Sequence, residues 1–422
     1  MVRMREAVVV KVLQTGGLDL PLEALTARLD EAIRELAPEP PDRPIVLTRP
    51  GTPVEEGCLP VVVLESPPPA IGPASRRWSS MVWKRLPAFA QNRCRGQVRV
   101  VPYTDVAHEC RVRLDVKAIA TGSPLEELPA RTRESLRRVA RALTGKQVGI
   151  ALGGAGAWGL AGAVLIQELE KRGVPIDMIA GSSSGALIGA HYCVGGSDGI
   201  ERLVSRGPEL SRTMWMMSFT SAIAEVGFDE ELLGARLEAL EIPLLPIVSN
   251  LSKRRAEVIV EGSAGLGIRA SVCAPGVFGP TLIGDQVYVD GAMTDNHPTG
   301  LVESLGAALV VSGNLLPAAR LRVGQHESST FWGRVAGNLD PIGRMNDTAA
   351  ALALFVHMAS APEPSPHHIT YEPEAVSAPL LHTFEYNKAA AIVAHARQDR
   401  LLHATVDAAE RAWKGLLMGR RT

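Results

Sequence analysis

Short apolar runs and longer amphipathic stretches alternate along this chain. The runs "AVVVKVL" (residues 7–13), "PIVLT" (44–48), "PVVVLES" (60–66) and "QVRVVPY" (97–103) are each bounded by proline, glycine or polar residues, the mark of buried strands. Between the first two, Leu22, Leu25, Leu29, Ile33 and Leu36 share one face at helical spacing. Further on, Leu136, Val139 and Leu143 mark a basic helix that Gly145 ends. Residues 148–152 predict a strand, 160–172 a helix stopped by Gly173, "PIDMIAG" (175–181) a strand, and "GALIGAHYC" (185–193) the start of a helix. "AEVIV" (256–260), "QVYVD" (286–290) and "AALVVSG" (307–313) are strand-like, and Leu402, Val406, Ala409, Trp413 and Leu416 predict a docked C-terminal helix. Such alternation favours an α/β fold around a parallel sheet.

Proline-rich breaks at residues 37–44 and 65–73 read as loops, and "TGSPLEELPA" (121–130) as a linker. The expected organisation is a smaller α/β region of scaffold or regulatory role at 1–125, a catalytic domain at 126–330, and a helical extension packed on it at 331–422.

Composition narrows the classes. The chain has 422 residues, 46% of them apolar, and a formal net charge of -1 from 44 basic and 45 acidic side chains. That balance argues for a globular chain and against a nucleic-acid partner, which needs a basic excess. No apolar run reaches the length of a membrane span. The opening "MVRMREAVVVKVLQ" is interrupted by Lys11 too soon for a secretory signal. Five scattered cysteines without a C-x-x-C argue against a disulfide framework or a structural zinc site, and for a reducing, cytoplasmic compartment.

The chemistry concentrates after residue 146. Gly154, Gly156 and Gly159 in "VGIALGGAGAWGLAG" spell G-x-G-x-x-G between a strand and a helix. A dinucleotide loop of this kind needs an acid at the end of the next strand for the ribose. Here that strand has only Asp177, near its start, and its end is occupied by Gly181, Ser182 and Ser183. Gly181, Ser183 and Gly185 form G-x-S-x-G, a turn that lifts a serine above a sheet edge and sets it at a helix N-terminus. A serine nucleophile needs a base. Asp290, at the end of "QVYVD" and followed by Gly291, is the better candidate, taking the proton directly as a dyad; His297 is the only histidine near a comparable position. The amides of the glycine-rich loop would then serve an oxyanion, at roughly 3–4 kcal/mol per donor.

Gly154-Ala155-Gly156-Ala157-Trp158-Gly159, then Gly181-Ser182-Ser183-Ser184-Gly185, then Asp290-Gly291-Ala292 with "DGAMTDNHP" resemble, in that order, the motifs of the patatin-like phospholipases. "SLRRVARALTGKQVGIALGGAGAWG" is similar in particular to the neuropathy target esterase (lysophospholipase) branch. The resemblance covers roughly residues 135–315. It implies a three-layer patatin-like domain with a mainly parallel central sheet, and hydrolysis of phospholipid, lysophospholipid or other acyl esters without metal or cofactor. It assigns Ser183 as nucleophile, Asp290 as base, and the amides of Gly154, Ala155 and Gly156 as oxyanion donors. Two residues depart from the family pattern: Ala155 stands where glycine is expected and Trp158 where arginine is expected. An acyltransferase would use the same residues, and the departures keep an impaired lipid-binding protein and a dinucleotide binder as rivals.

Lipid chemistry also implies a surface contact. "RTMWMMSF" (212–219), with Met214 and Trp215, is a candidate acyl-contact cap beside Trp158, against the plainer reading of ordinary core. "RRWSSMVWKRLPAF" (76–89) mixes basic and aromatic residues suited to peripheral contact with an anionic bilayer. His367-His368 sits in a proline-rich stretch with no clustered ligand, which argues against a metal there.

Overall fold

The computed structural model describes residues 8–13, 20–37, 45–50, 58–66, 98–217, 222–275, 277–315, 367–373 and 386–419. The candidate membrane-contact segment 76–89 lies outside them, as does the side chain of Trp215.

In chain order the strands are β1 (Val8–Leu13), β2 (Ile45–Thr48), β3 (Leu59–Ser66), β4 (Arg99–Pro102), β5 (Glu109–Val112), β6 (Gln147–Leu152), β7 (Met178–Gly181), β8 (Leu244–Asn250), β9 (Arg255–Glu261), β10 (Thr281–Ile283), β11 (Gln286–Asp290), β12 (Ala307–Gly313) and β13 (His368–Tyr371). The helices are α1 (Leu22–Leu36), α2 (Val116–Ala120), α3 (Ala130–Leu143), α4 (Leu160–Lys171), α5 (Ser184–Ser205), α6 (Gly207–Met217), α7 (Ala222–Glu231), α8 (Ala264–Ser271), α9 (Thr299–Ser304), α10 (Ala389–Ala396) and α11 (Arg400–Leu417).

Two sheets result. The smaller is wholly parallel, in the order β2-β3-β1-β5. The larger runs β10-β11-β8-β7-β6-β12-β13, with β9 joining β8 to β4. Its centre, from β8 to β13, is parallel; the ladders to β9, β10 and β11 are antiparallel. The central strands β6, β7 and β8 are buried along their whole length because helices cover both faces, as parallel sheets require. Val148, Ile150 and Leu152 of β6 enter the main core, with α4 and α5. Ala151 points to a second cluster with Leu301 and Val302 of α9. The arrangement is a three-layer α/β fold with a mainly parallel central sheet.

The helix ends follow from local chemistry. After α3, Gly145 takes φ +63, its N–H reaching Ala142 O at 3.4 Å while Lys146 N–H reaches Arg141 O at 2.8 Å. After α4, Gly173 at φ +70 and Val174 make the same pair of bonds, to Glu170 O and Leu169 O at 3.0 Å each. Both are Schellman caps, which only a left-handed residue can close.

Three features of the structure bear on the expected organisation. β4 lies before residue 125 yet pairs with β9 of the larger sheet, so a cut at 125 divides a ladder. The main core is one contiguous cluster from Val8 to Trp413, with α3 between the two sheets. Within 331–422, β13 is a strand that extends the parallel sheet beside β12, alongside the helices α10 and α11. "HITY" is too short and too closely flanked by proline to show periodicity. His368, from the proline-rich stretch, opens this strand, with Nε2 3.4 Å from Glu303 Oε2.

Candidate active site

β6 and β7 pair in parallel with Leu152 beside Gly181, so the loops leaving both strands emerge at the same edge. This is where open α/β sheets place their sites. β8 carries the geometry across. Gly181 lies opposite Pro246, and two residues further along β8, Val248 lies opposite Asp290 of the antiparallel β11. The register thus brings Asp290 level with the turn that follows Gly181, although 107 residues separate it from Ser183.

Ser183 occupies that turn at φ +53, ψ -122, a backbone region costly for any residue with a Cβ. The neighbouring glycine has a steric reason: a Cβ at Gly185 would lie 2.2 Å from Leu152 O. The Ser183 N–H donates to Ser271 Oγ at 3.0 Å, at the end of α8. The Ser183 hydroxyl donates to Asp290 Oδ2 at 2.7 Å. The other carboxylate oxygen, Oδ1, accepts the Ala292 N–H at 2.9 Å. The Asp290 backbone is pinned as well, its N–H donating to Cys273 O at 3.0 Å and its carbonyl accepting from Ser249 Oγ at 2.7 Å.

Asp290 is 4% exposed. Burial pushes its carboxyl up to about 7, against the opposing bonds from Ser183 and Ala292. An acid poised there can both take and return a proton near neutral pH. Among the described residues its carboxylate meets no histidine. His297 is buried seven residues on, its N–H donating to Asp295 Oδ1 at 3.0 Å. No group of three or more His, Cys, Asp or Glu among the described residues is arranged to hold a metal.

The glycine-rich loop abuts the serine so closely that a Cβ at Gly154 would lie 2.6 Å from Ser183 Cβ. Ala155 has a negative φ of -151, so no left-handed backbone demands the glycine expected there; Gly156 takes the left-handed φ of +56. Two of the three expected oxyanion donors are already engaged. Gly154 N–H donates to Asn296 Oδ1 at 2.6 Å and Ala155 N–H to Ser184 Oγ at 2.9 Å. The amides of Gly156 and of Ser184, the first residue of α5, meet no acceptor among the described residues. Two polar side chains, Asn296 and Ser184, reach the loop and pair its Gly154 and Ala155 amides, which burial would otherwise leave unsatisfied.

The proposed acyl-contact residues part company. Trp158 is partly buried against the main core. Met214 is 3% exposed within that core, beside Leu210 of the same helix, so in this structure it is a packing residue. Sequence reading passed over Asn296, Ser184 and Ser271 as working side chains. Only Asn296 carried a signal, its place in "DGAMTDNHP", and that signal named no role.

A family model for patatin-like phospholipase matches residues 150–206, from β6 through the glycine-rich loop and Ser183 to the end of α5. Lysophospholipase NTE1 of Mycosarcoma maydis is 33% identical over 184 residues, 41% of this chain and 10% of that protein. Lysophospholipase NTE1 of Phaeosphaeria nodorum is 28% identical over 201 residues, 44% and 13% of the two chains. Patatin-like phospholipase domain-containing protein 6 of Mus musculus is 28% identical over 195 residues, 42% and 14%. The similarity thus spans only 10–14% of the length of these relatives. VipD from Legionella pneumophila, a solved structure, matches over 62% of this chain and 67% of its own at 14% identity, with a TM-score of 0.32, too slight a likeness to bear on the fold. Residues 150–206 thus match the patatin-like phospholipase model, and some two fifths of the chain is similar to the lysophospholipases and phospholipase-domain protein named above.

Proposed function

We propose that this chain is a serine lipid acyl hydrolase of the phospholipase A or lysophospholipase type. The observation that carries the reading is the 2.7 Å bond from the Ser183 hydroxyl, on its strained turn, to the buried Asp290 carboxylate. Ser183 Oγ attacks the ester carbonyl carbon while its proton passes to Asp290 Oδ2. The carbonyl oxygen, now negative, accepts hydrogen bonds from the Gly156 amide and from the amide at the N-terminus of α5, where the helix dipole adds to the stabilisation. The tetrahedral adduct collapses, the ester carbon–oxygen bond breaks, and the leaving alkoxide takes the proton from Asp290. Water then attacks the acyl-serine with Asp290 as base, releasing the fatty acid and Ser183. A lysophospholipid or phospholipid is the substrate class favoured by the names of the relatives. Trp158, in place of a cation beside the loop, favours acyl-chain contact over grip on a phosphate.

The test pairs a serine-reactive phosphonate with a panel of phospholipids, lysophospholipids and uncharged esters. Wild type is expected to label once and to hydrolyse a lipid ester. Ser183→Ala abolishes labelling, and Ser183→Ala and Asp290→Asn each lower turnover by about 10³-fold or more. A wild-type protein that neither labels nor cleaves any ester sinks the reading.

A further inference from the structure

The Asp295-Asn296 pair joins three parts of the molecule that are remote in sequence. Asn296 is 4% exposed, with its Oδ1 accepting the Gly154 N–H at 2.6 Å and its Nδ2 3.4 Å from Gly154 O. Its backbone also abuts the loop, since a Cβ at Gly153 would lie 2.9 Å from Asn296 O. One residue back, the Asp295 carbonyl accepts from the hydroxyl of Ser182, the neighbour of the nucleophile. The Asp295 carboxylate is held from both sides, by His297 N–H at 3.0 Å and by the Tyr103 hydroxyl at 2.9 Å. Tyr103 follows β4, the strand that the first third of the chain contributes to the larger sheet. Burial and the adjacent Asp295 push the Tyr103 phenol well above its ordinary range, so it remains a donor at every working pH.

We propose that Asn296 and, behind it, Tyr103 are positioning residues for the oxyanion loop. Asn296 withdraws the Gly154 amide from the donor set and uses it as an anchor, which sets the left-handed Gly156 with its uncommitted amide facing the serine. Tyr103 fixes Asp295, and through it the direction from which Asn296 reaches the loop. The segment before the catalytic motifs thereby takes part in holding the site. A loop free to shift by an ångström loses much of its preorganised stabilisation without losing substrate affinity.

The inference rests on the hydrolase reading, so its test includes a readout independent of turnover. Tyr103→Phe keeps the ring and its packing and removes only the hydroxyl; Asn296→Ala removes the anchor. Amide hydrogen exchange at Gly154 is expected to quicken about tenfold or more in Asn296→Ala, and measurably in Tyr103→Phe, with thermal melting of Tyr103→Phe near that of wild type. On a soluble ester, kcat is expected to fall about ten- to a hundredfold in Asn296→Ala and about three- to tenfold in Tyr103→Phe, with KM within about twofold. The double variant is expected to be no slower than Asn296→Ala alone, because the two residues act in series. Unchanged Gly154 exchange in Tyr103→Phe overturns the proposal, as do faster exchange with wild-type kcat and effects that multiply in the double variant. A wild type without esterase activity instead sinks the hydrolase reading, while the exchange data still decide whether the anchor exists.

Discussion

At the scale of single residues, Asp290 connects catalysis and stability through one number. Its carboxyl titrates at about 7 in the fold, raised chiefly by burial, and near 3.9 in an unfolded chain. As the base it must be ionised, so kcat/KM on an uncharged ester is expected to rise about tenfold per pH unit below 7 and level off above it. The effect on stability has the opposite sign. Between about pH 4 and 7 the folded state holds a proton that the unfolded state has lost, so unfolding free energy falls as pH rises. The contribution is fully present below about pH 4 and gone above about 7, on the order of 4 kcal/mol in all. Urea titrations should therefore find Asp290→Asn more stable than wild type at pH 8 and nearly equal to it at pH 4, with no inflection near 7. A variant whose stability tracks wild type across that range would contradict the burial argument. The residue types at this site were legible in the chain. The engagement of Gly154 and Ala155 was not, because their partners Asn296 and Ser184 act through side-chain directions that no spacing encodes.

At the scale of elements, the strand–turn–helix at residues 178–205 stores strain where the chemistry is. Ser183 sits at φ +53 with a Cβ to accommodate, and the packed β7 and α5 hold it there. Glycine adopts that conformation without steric cost. Ser183→Gly is therefore expected to be about 1 kcal/mol more stable than Ser183→Ala, less than the full strain because glycine also loosens the unfolded chain. Equal midpoints for the two variants in chemical denaturation would show the turn to be unstrained. Elements with long apolar periodicity or a glycine stop, such as α1, α3, α4 and α5, were readable in advance. β8 was not, although it is the strand that carries the register from Ser183 to Asp290: "LLPIVSN" holds a proline where pattern reading expects none.

At the scale of the whole molecule, the main core is braced by a buried ion pair. Arg141 of α3 bonds both oxygens of Asp177 through Nε, at 3.0 and 3.1 Å, and Asp177 Oδ2 also accepts the Val148 N–H at 2.9 Å. The Asp177 side chain has no exposed surface, and Glu134 supports Arg141 from the other side. Asp177→Ala would leave the buried guanidinium with Glu134 as its one acidic partner and a β6 amide unpaired, at about 3 kcal/mol. Its melting temperature should fall by several degrees while the Ser183–Asp290 bond, at the opposite end of β7, stays intact; a melt within a degree of wild type would refute this. Asp177 is the same acid whose early place in its strand spoke against a ribose partner, and the ion pair gives it a structural role instead. No described helix is long and apolar enough to cross a membrane.

By itself the sequence determined the α/β alternation, the helix stops, the serine turn and the Asp-Gly at the end of β11, because each depends on neighbours within a few residues: apolar period, glycine at positive φ, small residues at a sharp turn. Tertiary structure alone decided that β4 and β13 join the larger sheet, that Met214 is core, and which loop amides remain available beside Ser183. Those outcomes depend on strand register and on side chains such as Asn296 and Tyr103 arriving from remote parts of the chain, and neither leaves a local pattern to read.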